Sequence, residues 1–406
     1  MTFRIATANQ FDRTINQLGV RQTELATLQE RLSTGKRVLK ASDDPVAAAL
    51  SEASANRSSR LAADLRSLES SRTSLQQAEA GLAESGELMV KVRDLLVSAG
   101  NATFTDAERE DVARQLEGLR EQLIVVANRT DSNGRTLFGG LGGASVPFVD
   151  LYSPSGNGVA FQGLRGQPVP GDSSLPQTLD GDSIWMRVPP GNGNFTARVP
   201  DTNTGSLSTS VGEVVDAAAT TGDDYRIDFA IVAGQPQYTI TNVGTGVPVA
   251  GHVGVAYEAG NEITFDGLAI RLDGQPANGD RVDLTVNTGA TDVFRVVQDA
   301  IDALRFQGPG ESGYRTHELA RTLTEMDASL DRVLLARGRV GEWLNRADSQ
   351  EMLMENRSVD LKAEQSRLTD IDLVNGISEF QKQQLALDAA LKSYAQVQRL
   401  SLFNQI

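Results

Sequence analysis

The sequence of 406 residues contains no cysteine. Disulfide bridges, zinc–thiolate sites and thiol nucleophiles are therefore excluded. Aromatic residues make up only 5% of the chain, which favours helices built on Leu, Val and Ala over an aromatic-rich binding pocket. The length indicates two or three domains, and an apolar content of 40% is enough to form hydrophobic cores.

Excess positive charge and long apolar runs are also missing. The chain carries 38 Lys and Arg against 53 Asp and Glu, a net charge of −15, which argues against a nucleic-acid partner. No window approaches the ~18 apolar residues of a membrane span, so we expect no membrane partner. The N-terminus lacks the apolar run of a cleaved secretory signal. If the protein is exported, we expect it to use a route that cleaves no signal peptide.

Residues with the spacing of a catalytic, metal or cofactor site are equally scarce. The two histidines, His252 and His317, are 65 residues apart, whereas a metal site needs three or four converging ligands. The sequence has no P-loop, no G-x-S-x-G and no G-x-G-x-x-G followed by a helix. We therefore predict no catalytic residue, no metal site and no cofactor, and hence a protein that is not an enzyme.

Neighbouring acidic residues have simpler interpretations than a carboxylate pair. Asp43 and Asp44 precede Pro45 and are expected to cap a helix. The pairs at 180 and 182 and at 223 and 224 lie among turn residues and are expected in surface turns. Asp-Gly at 266–267 and 273–274 is typical of hairpin turns.

Glycine and proline divide the chain into three parts. Residues 141–290 hold 23 of the 38 Gly and 11 of the 13 Pro, with 16 acidic residues, six Arg and no Lys. Short alternating runs at 225–232, 237–243, 262–272 and 281–287 predict strands of a small sandwich or irregular barrel, and 155–210 is expected to be largely loop. The flanking segments, 1–140 and 291–406, have helical periodicity. The middle part is therefore predicted to be a β insertion between two helical arms.

Heptad spacing is present in both arms. In the first arm, apolar residues recur every seven positions from Leu61 to Leu96, and in the second they alternate by four and three from Leu319 to Leu361. Capping residues are expected at Thr105 with Glu108, at Asp292, and at Thr369-Asp370 before the last helix. We predict a mainly α fold in which long antiparallel, coiled-coil-like arms from both termini form a rod, with a β-rich outer domain.

Two apolar stripes, one at each end of the chain, have too few partners within one molecule. Each lies on a single helix, and the two helices paired only with each other would leave much apolar surface exposed, which soluble monomers seldom tolerate. We therefore predict that the stripes form an assembly interface and become helical when neighbouring subunits cover them. The stripe residues are Phe11, Ile15, Leu18, Leu25, Leu32, Ile377, Phe380, Leu387, Leu391, Tyr394 and Val397.

Several motifs in the arms resemble those of the bacterial flagellin superfamily. They are LSTGKRV at 32–38, SDDPVAAA at 42–49, DSNGRTLFGG at 131–140 and the closing SYAQVQRLSLFNQI at 393–406. Flagellins usually have Asp-Asp-Ala where this chain has Asp-Asp-Pro at 43–45, and the motifs at 131–140 and 393–406 are also more similar to the hook-associated branch of the superfamily. The resemblance covers 1–140 and 291–406 but leaves out 141–290, which is variable in this family.

The resemblance implies a structural protein of the bacterial flagellum that connects the hook to the flagellin filament. It implies an inner assembly domain of 1–40 with 370–406, a helical rod domain of 41–140 with 291–369, and a variable outer domain of 141–290. It also implies export through the flagellar type III apparatus to an extracellular position. The implied partners are identical subunits in a ring, the other hook–filament junction protein, flagellin and an export chaperone.

Three alternatives remain open at this point. The chain could be flagellin itself, the bulk filament subunit. The 141–290 domain could be a secreted enzyme carried on the shaft, for example a glycan hydrolase, which would need paired carboxylates in a cleft. A coiled-coil regulator that stays in the cytoplasm is the third possibility.

Overall fold

A computed structural model describes residues 3–101, 103–142, 144–151, 158–168 and 175–403, with side chains described from 12 to 396 within those ranges. The helices are α1 (Phe3–Thr34), α2 (Pro45–Ala99), α3 (Asp106–Ala127), α4 (Gly181–Trp185), α5 (Val293–Arg305), α6 (Glu311–Thr369) and α7 (Leu373–Phe403). The strands are β1 (Phe148–Asp150), β2 (Val159–Phe161), β3 (Phe195–Arg198), β4 (Ser208–Thr209), β5 (Glu213–Val214), β6 (Tyr225–Val232), β7 (Gln235–Asn242), β8 (Val247–Pro248), β9 (Val255–Ala256), β10 (Glu262–Phe265), β11 (Leu268–Asp273) and β12 (Arg281–Val286). The predicted fold class, mainly α with a β insertion, is confirmed.

The chain divides into two compact units. The first consists of 1–67 and 349–406 and contains α1 and α7, while the second consists of 68–348 and contains the β strands. The long helices α2 and α6 each contribute residues to both units. The three-domain division proposed from the sequence remains a prediction.

Capping residues set the helix ends largely where the sequence places them. Gly35 adopts the left-handed conformation (φ 70°) directly after α1, as expected of a C-terminal glycine. The Asp44 carboxylate accepts a hydrogen bond from the Ala47 N–H at 3.0 Å at the start of α2. Thr105 and Glu108 form the predicted reciprocal capping box of α3.

The expected cap of the last helix was wrong. Thr369 is the last residue of α6, because the helical pattern continues through it. The side chain that caps α7 is Asp372, which accepts hydrogen bonds from the N–H groups of Val374 (3.0 Å) and Asn375 (3.2 Å).

The heptad residues of α2 form the core of the helical part. Leu75, Leu82, Met89 and Leu96 are at most 2% exposed, which confirms the prediction that this stripe is an intramolecular core. On α6 the apolar residues at every seventh position are buried except for Met354, whereas those between them, such as Leu323 and Leu330, are half-buried. The buried members of this apolar series are Leu319, Met326, Val333, Val340, Ala347 and Leu361.

The β region contains two main sheets that share one core. One sheet has the strand order β3-β12-β6-β7-β8, with β9 also paired to β7, and the other has the order β10-β11-β4, with β5 also paired to β11. All these pairs are antiparallel. Side chains from both sheets, including Tyr225, Ile240, Phe265 and Leu284, form one buried cluster, so the arrangement is a sandwich. The 155–210 segment contains β2, α4, β3 and β4 in addition to loop.

The acidic residue at 182 was wrongly assigned to a surface turn. Asp182 lies in α4 and is 2% exposed. Its carboxylate pairs with the guanidinium groups of Arg165 at 3.0 Å and Arg187 at 2.6 Å. These two arginines supply the charge compensation that a buried carboxylate needs.

A buried ion cluster lies beside the sandwich on α6. Arg321, 5% exposed, donates two hydrogen bonds of 2.9 Å to Glu325, and it also pairs with Glu318 and with Asp299 of α5. Glu325 is fully buried and accepts the Gly191 N–H at 2.8 Å. Burial raises the pKa of Glu325 despite the opposing charge of Arg321. Burial alone would lower the pKa of Arg321, but the carboxylates outweigh it and raise that pKa.

His317 is a buried residue that links α6 to the sandwich. It is 1% exposed, with Nδ1 3.1 Å from the carbonyl oxygen of Thr209 in β4 and Nε2 3.0 Å from that of Ala197 in β3. Burial lowers the pKa of His317, so the neutral ring donates one N–H. The start of α6 therefore contacts a strand from each main sheet.

Candidate assembly interface

The two terminal helices, α1 and α7, pack against each other within the first unit. One position where the two helices lie close together is Gly376, which is buried. A Cβ added at Gly376 would lie 2.9 Å from Leu32 Cδ2 and 3.0 Å from Ile371 Cδ1, so the glycine allows the two helices to approach at this point. Leu32 is therefore a stripe residue of α1 that lies against α7 at Gly376.

A short junction ties the end of α1 to the start of α7. The backbone N–H of Arg37 donates to the carbonyl oxygen of Thr369 at 2.7 Å, and the N–H of Ile371 donates to that of Gly35 at 2.9 Å. The Arg37 side chain adds a hydrogen bond of 2.8 Å to the carbonyl oxygen of Leu368. Residues 35–37 and 368–371 therefore hold the two helix ends side by side.

The two aspartates of the SDDP motif support this junction. The backbone N–H groups of Lys40 and Leu39 hold the pKa of Asp43 below its usual range. The N–H of Ala47 and the guanidinium of Arg37, 3.1 Å away, do the same for the pKa of Asp44. Both carboxylates are thus hydrogen-bond acceptors in the segment between α1 and α2, and neither has the raised pKa of a general acid. The predicted helix cap is formed by Asp44, whereas Asp43 accepts from the preceding turn instead.

The predicted stripe residues are arranged along α1 and α7 without being covered. Of the side chains described on these helices, 12–34 and 373–396, none is buried apart from the Gly376 position. Ile15, Ile377 and Leu391 are 46%, 50% and 42% exposed. The half-buried members are Leu18, Leu25, Leu32, Phe380, Leu387 and Tyr394. The side chains of Phe11 and Val397 lie outside those described.

Further apolar side chains outside the predicted stripes are even more exposed. Val20 is 57% exposed on α1, and Val374 and Leu385 are 77% and 73% exposed on α7. Seam spacing could not identify these three residues, because they lie off the seam. Their signal in the sequence is an apolar residue on the side of an amphipathic helix where polar residues are expected.

Burial of the exposed apolar side chains of α1 and α7 by another molecule would be favourable in free energy. Complete burial of an Ile or Leu side chain contributes about 1.5 to 3 kcal/mol relative to full exposure. A side chain such as Ile377, half exposed in the single chain, retains about half of that, roughly 1 kcal/mol, for burial by another molecule. Several such residues on one helix pair add up to a substantial driving force for association.

Metal-ligand clusters and membrane-spanning helices are not found among the residues described. Among them, no three His, Asp or Glu side chains come together as metal ligands. None of the helices described is apolar enough over a sufficient length to cross a membrane.

Comparison with known protein families identifies the helical parts of the chain. The bacterial flagellin N-terminal helical region matches residues 5–142, and the flagellin C-terminal helical region matches residues 323–405. Together these two regions cover more than half of the chain, and they include both terminal helices.

Individual relatives match almost the whole length. The flagellar hook-associated protein 3 of Salmonella typhimurium strain LT2 is 26% identical over 98% of this chain and 98% of its own. Flagellin A of Vibrio cholerae is 25% identical over 93% of this chain and 92% of its own.

Solved structures agree in fold. The flagellar junction protein FlgL from Legionella pneumophila matches with a TM-score of 0.67 at 25% identity, covering 73% of this chain and 99% of that one. FlgL from Xanthomonas campestris matches with a TM-score of 0.68 at 26% identity, covering 78% and 99%. The chain belongs to the bacterial flagellin family.

Proposed function

We propose that this chain is a hook-associated protein that connects the flagellar hook to the flagellin filament. The relatives described as hook-associated protein 3 cover 98% of the chain, whereas the matched flagellin of Vibrio cholerae covers 93%. Of the solved structures with TM-scores above 0.65 and at least 25% identity, the one from Legionella pneumophila is described as the flagellar junction protein FlgL, and the one from Xanthomonas campestris is also an FlgL. These matches favour the junction role over that of the bulk filament subunit.

The observation that carries the proposal is the uncovered apolar surface of α1 and α7. Ile15, Ile377 and Leu391 are between 42% and 50% exposed, on a helix pair with no buried side chain among those described at 12–34 and 373–396. A junction protein must bury such surface against its neighbours. Contacts that run from one subunit to the next generate rings or helical arrays.

The remaining parts of the proposal concern partners and location. Identical subunits form a ring, with the other hook–filament junction protein on one side and flagellin on the other. The chain leaves the cell through the flagellar type III apparatus with an uncleaved N-terminal signal, after binding a cytoplasmic chaperone, and works outside the cell. Its domains are 1–40 with 370–406, 41–140 with 291–369, and 141–290, and none of them is an enzyme.

Deletion of the gene tests the junction role. The deletion strain is expected to make intact hooks without filaments and to release flagellin into the medium. Filaments of normal length on the deletion strain would contradict the junction role. A strain without hooks and filaments, or one in which the medium contains no flagellin, would also count against it.

Complementation then tests the interface residues. Ile377→Ser with Leu391→Ser removes two half-exposed apolar side chains from α7 without opening a buried core, so export is expected to continue while filament formation falls sharply. Val247→Ser is the matched control, because Val247 is 59% exposed in β8 of the outer sandwich. Filament restoration by the double variant equal to that by Val247→Ser would show that these residues are not the interface.

A further inference from the structure

A cleft of about 380 Å³ opens where the end of α2 meets the first turns of α3 and α6. Its walls are mainly apolar and include Leu96, Val97, Leu319 and Leu323. Because Val97 is 55% exposed, the cleft is open to solvent along one side. Its volume exceeds the ~150 Å³ of an engineered apolar cavity that holds benzene, so a chain of several carbons fits.

Two arginines lie in this apolar cleft with few partners. Arg109 is 9% exposed, and its Nε is buried without a hydrogen-bond acceptor. Its only ion pair among the residues described joins Nη1 to Asp106, whose side chain is 71% exposed. Arg109 lines the cleft and thus has a buried N–H group without an acceptor, which is costly unless an acceptor enters.

Arg315 has even fewer partners. Its side chain is 12% exposed, and the nearest carboxylate among the residues described is that of Glu311, at 3.9 Å, beyond hydrogen-bond distance. Burial lowers the pKa of Arg315, and the nearby charge of Arg109 lowers it further. An anion between the two guanidinium groups would relieve both effects.

The helix ends add to the positive potential. Arg109 lies in the first turn of α3 and Arg315 in the second turn of α6. Helix N-termini carry a partial positive charge that favours anions. The cleft therefore offers positive charge and apolar walls together, in a chain whose net charge is −15.

We propose that this cleft binds a small carboxylate with an unbranched apolar tail, of the medium-chain fatty acid type. The carboxylate accepts hydrogen bonds from Arg109 and Arg315, and the tail lies against Leu96, Leu319 and Leu323. A guanidinium donates two parallel hydrogen bonds to a carboxylate, and the walls exclude water from the tail. This binding site is independent of the junction role.

The test uses the full-length chain and three ligands in calorimetric titrations. Octanoate has both charge and tail, acetate has the charge without the tail, and octan-1-ol has the tail without the charge. We expect one saturable site for octanoate, at least ten times tighter than either of the other two. Equal affinities for octanoate and octanol, or several weak sites of the kind produced by surface adsorption, would overturn the proposal.

Two variants locate the site. Arg315→Gln is expected to weaken octanoate binding at least tenfold, because a charge-assisted hydrogen bond is lost. Arg114→Gln makes the same charge change at a 62% exposed arginine of α3, and is expected to leave binding unchanged. Ala320→Phe narrows the cleft and is expected to reduce binding of octanoate while leaving the thermal transition of the chain in place. An affinity that none of these substitutions alters would place octanoate elsewhere and overturn the assignment.

Discussion

Replacement of Arg321 by Met is the most informative perturbation of the fold. Arg321 contacts Glu318 and Glu325 of α6 and Asp299 of α5 within the buried cluster. Methionine keeps a long apolar stem and removes the charge. The fully buried Glu325 then loses both of its hydrogen bonds to Arg321 and retains the Gly191 N–H.

The expected loss of stability follows from the burial of Glu325, whose carboxylate is left without its cation. Removing one partner of a buried ion pair costs about 3 to 5 kcal/mol, because an uncompensated charge remains. Arg337→Met is the matched control on the same helix. Its pair with Glu79 at 2.7 Å is 39% and 35% exposed, and exposed pairs contribute about 0 to 1 kcal/mol.

The pH dependence gives a second, independent readout. Burial already raises the pKa of Glu325 above the ordinary 4.5, and loss of Arg321 raises it further. At pH values between 4.5 and the raised pKa of Glu325, the folded state then binds more protons than the unfolded state. Stability therefore falls as pH rises through that range. The penalty of Arg321→Met should therefore be smaller at about pH 5 than at neutral pH.

Urea unfolding followed by circular dichroism at the two pH values measures both effects. We expect a large shift of the midpoint for Arg321→Met at neutral pH and a small one for Arg337→Met. Equal urea midpoints for Arg321→Met and Arg337→Met at both pH values would refute the reasoning. A buried carboxylate without a partner should lower the free energy of unfolding by much more than the loss of an exposed ion pair.

Three further substitutions have expected outcomes in the same unfolding assay. Burial raises the pKa of Asp292 to about 6 from 3.8, so the stability that Asp292 contributes is complete below pH 3.8 and is lost as pH rises through 6. Asp292→Asn keeps the N-cap and should flatten the pH dependence of the free energy of unfolding. An unchanged pH profile would show that Asp292 does not cause this dependence. His317→Ala should cost about 1 to 3 kcal/mol, because it leaves one of the two buried carbonyl groups in contact with the ring without its donor; no loss of stability would show that water replaces the ring. Thr105→Ala should cost about 1 kcal/mol through loss of the capping box of α3, and Thr105→Ser should restore most of it.

Local chemistry explains why much of the helical part could be predicted. Gly35, Asp44, Thr105 and Asp292 set helix ends through hydrogen bonds within a few residues, so the sequence contains all the partners. The recurrence of apolar residues every seven positions on α2 likewise predicts that one side of this helix is packed against other helices. Such signals need no knowledge of distant parts of the chain.

The residues that could not be predicted depend on long-range packing. The spacing of Glu318, Arg321 and Glu325 is typical of exposed ion pairs on one helix face, and only the packing around Asp299 and Gly191 buries them. Asp182 is buried for the same reason, with Arg187 five residues away and Arg165 in the preceding segment. On the terminal helices, the stripe spacing identified the exposed residues Ile15 and Ile377, whereas Val374 and Leu385 lie off the seam, where seam spacing does not identify them.

The central claim is that neighbouring molecules cover the apolar surface of α1 and α7, and cysteine accessibility tests it directly. Because the chain has no native cysteine, single replacements at Ile377, Leu391 or the control position Val247 each introduce one thiol. In the purified single chain all three should react with a maleimide at similar rates, since these positions are between 42% and 59% exposed. In isolated flagella we expect strong protection of the cysteines at 377 and 391 and full reactivity at 247. Equal reactivity at all three positions in the assembled flagellum would contradict the account.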